Sequence, residues 1–182
     1  MKTIYILLTR SNTCVSNAIH LFTADPYTHA SISFNADLEP LYSFARKYVY
    51  TPLPAGLRTE QLHEGFFKKN GAIPCALYAL EVSDDVYETA KCRVKQMMSH
   101  SEEYRYSIMG LLLCKMGIPY HRDNYYFCSE FVSEVLERSE ALTLPKHISL
   151  MRPYDYTQIS DFSCIYEGQL GNLHRIPKQK MA

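Results

Sequence analysis

Two side chains in this sequence are of the types that make a thiol nucleophile and its base. Cys128 stands in NYYFCSEFVSEVL (124–136), where a helical pattern begins. Phe131, Val132, Val135 and Leu136 follow it at three, four, seven and eight residues, so the cysteine opens the buried stripe of its own helix. A thiol in that place has two advantages. The positive end of a helix favours thiolate over thiol, and the free N–H groups of the first turn can hold a developing oxyanion. Such a nucleophile needs a base. His29 opens the alternating stretch HASISFN (29–35), and a strand end beside the cysteine helix would bring imidazole to sulfur. The chemistry of that pair would be acyl transfer. The competing reading is one more buried, inert cysteine.

Other histidines compete with His29. His63 lies in a polar loop, His100 ends a polar helix, His121 belongs to PYHRDN, which reads as an exposed loop, and His174 lies in a basic tail; His20 and His147 complete the set. Glu130, in the first turn of the cysteine helix, suits the helix dipole and reads as structural. Cys14 also stands near a helix start, but no histidine motif accompanies it.

The elements that must position the pair are legible as patterns. TIYILLT (3–9) reads as a buried strand. Ser11, Asn12 and Thr13 can cap a helix in which Val15, Ala18, Ile19 and Phe22 share a face. ADPYT (24–28) breaks it. In HASISFN, Ala30, Ile32 and Phe34 point one way and His29, Ser31 and Ser33 the other. ADLEP reads as a turn and LYSFARK (41–47) as the return strand of a hairpin. YTPLPAGLR and GFFKKNGAIP read as loops, and CALYALEV (75–82) as a third strand. Ser83 caps a helix that runs to about His100, with Val86, Ala90, Val94, Met97 and Met98 inward. YSIMGLLLCKM is a further helix, RPYDYTQI a short helical turn and FSCIYEG a last strand. The pattern is α+β, a mixed sheet with helices segregated around it.

The bulk numbers bound the function. A chain of 182 residues suits one domain, with a core over about 3–168 and a frayed basic tail. Lysine plus arginine and aspartate plus glutamate balance at 19 each, which gives no electrostatic ground for nucleic-acid binding. The start, MKTIYILLTRSNTC, lacks the features of a secretory signal. No run reaches the ~18 apolar residues of a membrane span, so no integral membrane segment is expected. The richest run, SIMGLLLCKMGI (107–118), reads as a buried helix. Six cysteines without a CxxC pair or a histidine cluster predict no metal site and no cofactor, with reduced thiols in a cytoplasmic chain.

Several stretches together resemble the circularly permuted papain-like thiol enzymes, the YiiX-like branch of the NlpC-type superfamily, related to lecithin:retinol acyltransferases. YILLTRSNTCVSNAIHLFT resembles the opening strand and helix, DPYTHASISF the histidine strand, YSIMGLLL the helix before the nucleophile and FCSEFVSEVL the cysteine helix. Histidine precedes cysteine here, as in the permuted branch. The resemblance covers roughly residues 3–138. It implies a permuted papain-like fold, a mostly antiparallel sheet or partial barrel with helices packed to one side. It implies Cys128 as nucleophile and His29 as base. It also implies a polar residue on the next strand to orient the imidazole. That strand, PLYSFARK, carries no histidine, glutamate or asparagine, and Ser43 is the best candidate, with Tyr42 and then Glu39 behind it. The implied activity is hydrolysis or acyl transfer at an amide or ester of a small peptide or lipid-like substrate. An inactive relative that binds an acyl or peptide ligand is the alternative. A redox protein using Cys128 as a sulfenate or disulfide stands further off.

Overall fold

The computed structural model describes residues 1–10, 25–46 and 54–175. The helix expected after Ser11, together with Cys14 and His20, falls outside the described residues, as do 47–53 and the end of the basic tail.

Six antiparallel strands form one sheet: β1 (Lys2–Thr9), β2 (His29–Ser33), β3 (Leu41–Arg46), β4 (Ala55–Glu60), β5 (Pro74–Val82) and β8 (Ser163–Gln169). Their order is β4-β3-β2-β1-β5-β8, so β4 and β8 are edges and the sheet is open rather than a barrel. Two short strands, β6 (Arg105–Tyr106) and β7 (Tyr125–Tyr126), pair in parallel nearby. The helices are α1 (Gly65–Lys69), α2 (Asp84–Ser99), α3 (Ile108–Lys115) and α4 (Cys128–Arg138). The fold is thus mixed α+β.

The alternation in β1 and β2 divides two cores. Ile4, Ile6, Leu8, Ala30, Ile32 and Phe34 face α2 and α4, where Val94, Met97, Phe131, Val132, Val135 and Leu136 close the larger core. Tyr5, Leu7, Cys75 and Leu77 face the other way, covered by Phe67 of α1 and by Leu170 and Leu173 of a final 3₁₀ turn. Full burial of each such aliphatic side chain is worth about 1.5–3 kcal/mol.

Three segments differ from the sequence reading. The proline-marked stretch read as a loop contains β4, an edge strand that follows Pro54, where a missing N–H costs the ladder nothing. GFFKK forms α1 instead of loop. The SIMGLLLCKMGI helix, expected to be buried, exposes Ile108, Met109, Leu112 and Met116 and buries only Gly110 and Cys114. Hydropathy counts apolar residues but carries no information on which face a short helix offers its neighbours. Among the described residues no helix is long and apolar enough to cross a membrane.

Candidate functional site

Phe127 is extended (φ −104°, ψ 172°) and serves as the N-cap of α4, so Cys128 begins the helix. The first turn is fixed from behind. Ser129 Oγ donates to the Met151 carbonyl (2.7 Å), and the Tyr156 hydroxyl donates to the Ser129 carbonyl (2.8 Å) while meeting Ser133 Oγ at 2.7 Å. Tyr156 is fully buried, which fixes these bonds in place. Further along, Arg93 of α2 binds Glu134 of α4 through Nε (3.0 Å) and Nη2 (2.6 Å). The amphipathic pattern foresaw a helix with one buried stripe; residues 128–136 are in fact buried all round.

α3 packs against this N-cap through a small residue. Ser107 caps α3, its Oγ accepting from the Gly110 N–H at 3.1 Å. A Cβ at Gly110 would collide with that hydroxyl and touch the Phe127 ring at 3.6 Å. A side chain at Gly110 would displace the Ser107 hydroxyl from its capping position; Tyr106, just before the cap, lies near Cys128.

His29 opens β2 opposite Thr9. Register places His29, Ser31, Ser43 and Glu60 on one face of the sheet, because Ile32 pairs with Tyr42 and Leu41 with Glu60. Oε2 of Glu60 receives three donors: His29 Nε2 at 2.9 Å, Ser31 Oγ at 3.1 Å and Ser43 Oγ at 2.5 Å. An ionised carboxylate only accepts, so Nε2 carries the proton. The Cys128 thiol lies close enough to the imidazole to act on its protonation. The sulfur also lies 4.0 Å from the Thr28 carbonyl.

The electrostatics follow from this geometry. The His29 and Glu60 side chains are only 15% and 14% exposed, so burial opposes charge on both. For His29 the Glu60 charge and the hydrogen bonds to Cys128 and Glu60 outweigh burial and lift the imidazole to about 10. For Glu60 the His29 charge and the His29, Ser43 and Ser31 donors outweigh burial and hold the carboxyl down at about 2. The imidazolium form is thus the stable one at neutral pH. Burial raises the Tyr106 phenol strongly, and the sulfur of Cys128 adds to that.

Cys128 and His29 are brought together across 99 residues of sequence. Ser43 is not placed on the imidazole. It donates to Glu60, and the carboxylate that meets the imidazole comes from β4, one strand beyond the strand on which the polar partner was expected. Tyr42 turns to the opposite face, its ring 6.3 Å from Phe34. Glu39 lies in the turn before β3, bonded through its backbone to Asn35 and Asp37. Glu60 was missed because β4 was missed: with Pro54 read as loop punctuation, nothing gave its side chain a face. Leu57, Arg58, Thr59 and Glu60 do not alternate in polarity, so no period-two signal marked the strand.

Among the rivals, His63 and His100 are exposed. His147 caps a 3₁₀ turn, its Nδ1 accepting from the Ser149 N–H at 3.2 Å. His121 lies in an exposed loop, as the sequence suggested, and its ring reaches the buried Glu130 at 2.9 Å. The described cysteines 75, 92, 114, 128 and 164 are free thiols, and burial pushes Cys75 up to about 12 and Cys114 to about 11. Among the described residues no group of three or more histidine, cysteine or carboxylate side chains is arranged to hold a metal ion.

No family model, curated protein or solved structure matches this chain.

Proposed function

We propose that this chain is a cysteine-dependent hydrolase or acyltransferase of the permuted papain-like kind, acting on an amide or ester carbonyl. One observation carries the reading. A single imidazole is held through Nε2 by a buried, three-donor carboxylate and lies beside a thiol at the first residue of a helix. A buried structural histidine needs neither the thiol nor a carboxylate held so firmly in its charged form.

The steps follow from that arrangement. The Cys128 sulfur forms a bond to the substrate carbonyl carbon, and the carbonyl π pair moves to oxygen. The Cys128 N–H can stabilise that oxyanion. Tyr106 is the second donor: its hydroxyl stays protonated, stands near the sulfur and makes no hydrogen bond with the described residues. Collapse of the adduct breaks the bond to the leaving amine or alkoxide, which takes its proton from the His29 imidazolium. Water or an acceptor alcohol or amine then attacks the thioester, His29 accepts its proton, and the thiolate is released. Glu60 fixes the ring and its tautomer, and Ser31 and Ser43 keep Glu60 ionised.

The test is the iodoacetamide labelling rate of each cysteine across pH, read by mass spectrometry. Cys128 is expected to label faster than the exposed Cys92 and Cys164 despite its burial, and to lose that lead in His29→Ala. A Cys128 rate no higher than those two, unchanged by His29→Ala, would end the catalytic reading and leave an acyl- or peptide-binding relative.

A further inference from the structure

Helix α3 is built inside out. Five of the six large apolar side chains exposed among the described residues lie within 108–118: Ile108 (47%), Met109 (56%), Leu112 (50%), Met116 (70%) and Ile118 (44%); the sixth is Met1. The same helix buries only Gly110 and Cys114. A fold that had no use for this face would gain stability by turning these side chains inward.

Along the sequence the charge flanking the patch is one-sided, and the two carboxylates that act on Cys114, Asp155 and Glu130, are paired with Lys146 and Arg152 and with His121. From Tyr104 to Arg122 the sequence carries Arg105, Lys115 and Arg122 and no acid, in a chain whose formal net charge is zero. Glu103 and Asp123 mark the two ends of that stretch. Lys115 lies half-buried along α3, and the exposed Arg105 and Arg122 stand at the two ends of the stretch. Arg122 stacks on the Tyr125 ring at 4.0 Å, a pairing that keeps a cation beside an aromatic ring. Exposed apolar residues with cations and tyrosines at their margin have the chemistry of an interfacial helix. A second copy of the chain would bring the same cations against these.

We propose that the exposed face of α3, from Ile108 to Ile118, is a docking surface for an anionic lipid bilayer. It adjoins the candidate site, because Tyr106 and Ser107 run directly into α3 and Gly110 lies against Phe127, the residue before Cys128. The inference deepens the acyl-transfer reading and rests on it only in this respect: the acyl donor would be a lipid ester at the surface on which the protein sits.

The experiment is co-sedimentation of the full chain with vesicles of phosphatidylcholine, with and without phosphatidylglycerol. Wild type is expected to bind the mixed vesicles, and to bind less to phosphatidylcholine alone and at high salt. A Met109→Asp, Leu112→Asp double variant is expected to lose about tenfold or more of that partitioning, with an unchanged melting temperature and Cys128 labelling rate. Wild type that stays in solution, or a double variant that binds as wild type does, overturns the proposal. So does a wild-type dimer that becomes monomeric in the double variant while neither binds vesicles, since a second copy would then cover the face. Binding is read without turnover. Vesicle binding with a slow Cys128 would therefore retain the docking surface and reject the enzyme.

Discussion

The molecule contains two histidine–glutamate contacts of equal length and opposite character. His29 meets Glu60 at 2.9 Å, and His121 meets Glu130 at 2.9 Å. Glu60 takes two serine hydroxyls as well as the imidazole on one oxygen, and its carboxyl is held down at about 2. Glu130 is fully buried, its Oε2 has no hydrogen-bond partner among the described residues, and burial raises its carboxyl against the pull of His121. A carboxylate removed from water is therefore kept charged by the donors gathered on it, not by one nearby histidine. His121 is also 30% exposed, with Asp123 3.9 Å from its Nε2. His29 is enclosed, and the Cys128 thiol lies beside its ring. Only the first contact couples a stable charge to a thiol, although His121 is by far the nearer to Cys128 in sequence.

The largest separation of the two contacts is expected from their histidines. His29→Ala should slow Cys128 alkylation at neutral pH by about 100-fold, while His121→Ala should leave it within about twofold. Equal losses in the two variants would mean that the second contact also activates the thiol.

A smaller effect should come from the carboxylates, read as stability against pH. The raised His29 contributes stability that is complete below its unfolded value of 6.5 and fades as pH rises through about 10. The lowered Glu60 contributes above its unfolded value of 4.5 and fades as pH falls through about 2. The cost of Glu60→Ala in urea melts should therefore be greatest between about pH 4.5 and 6.5, at roughly 2–3 kcal/mol, and should shrink on either side. A cost that stays flat from pH 5 to pH 10 would mean that Glu60 acts through packing alone.

The smallest effect should come from Glu130→Gln. The folded form of a raised carboxyl holds its proton longer than the unfolded form, so ionisation costs stability as pH rises. The variant should match wild type at pH 4 and gain about 0.5–1 kcal/mol at pH 8. A loss at pH 8 would show that the charge of Glu130 is needed by His121.

Much of this was readable residue by residue. The apolar run 3–9, the alternation 29–35 and the stripe that starts at Cys128 each became the expected element, because local pattern and burial agree there. Ser83 became a helix cap, its Oγ accepting from the Val86 N–H at 3.3 Å. Failures came where local and tertiary information part. Pro52 and Pro54 mark a break in pattern, yet an edge strand beginning at Ala55 needs no N–H from either. Leu112 and Met116 look like core until the neighbours of α3 are known.

The sequence by itself determined the kinds of side chain available and the ends of elements on which they stand: a cysteine at a helix start and a histidine at a strand start. Those follow from periodicity and capping, which act over a few residues. Tertiary structure alone decided that Glu60 rather than Ser43 touches the imidazole, that Ser43 serves Glu60, and that the apolar face of α3 points outward. Each depends on strand order and register, which join residues far apart in the chain. A slip of one residue in β4 would turn Glu60 to the other face of the sheet, and no local pattern records that register.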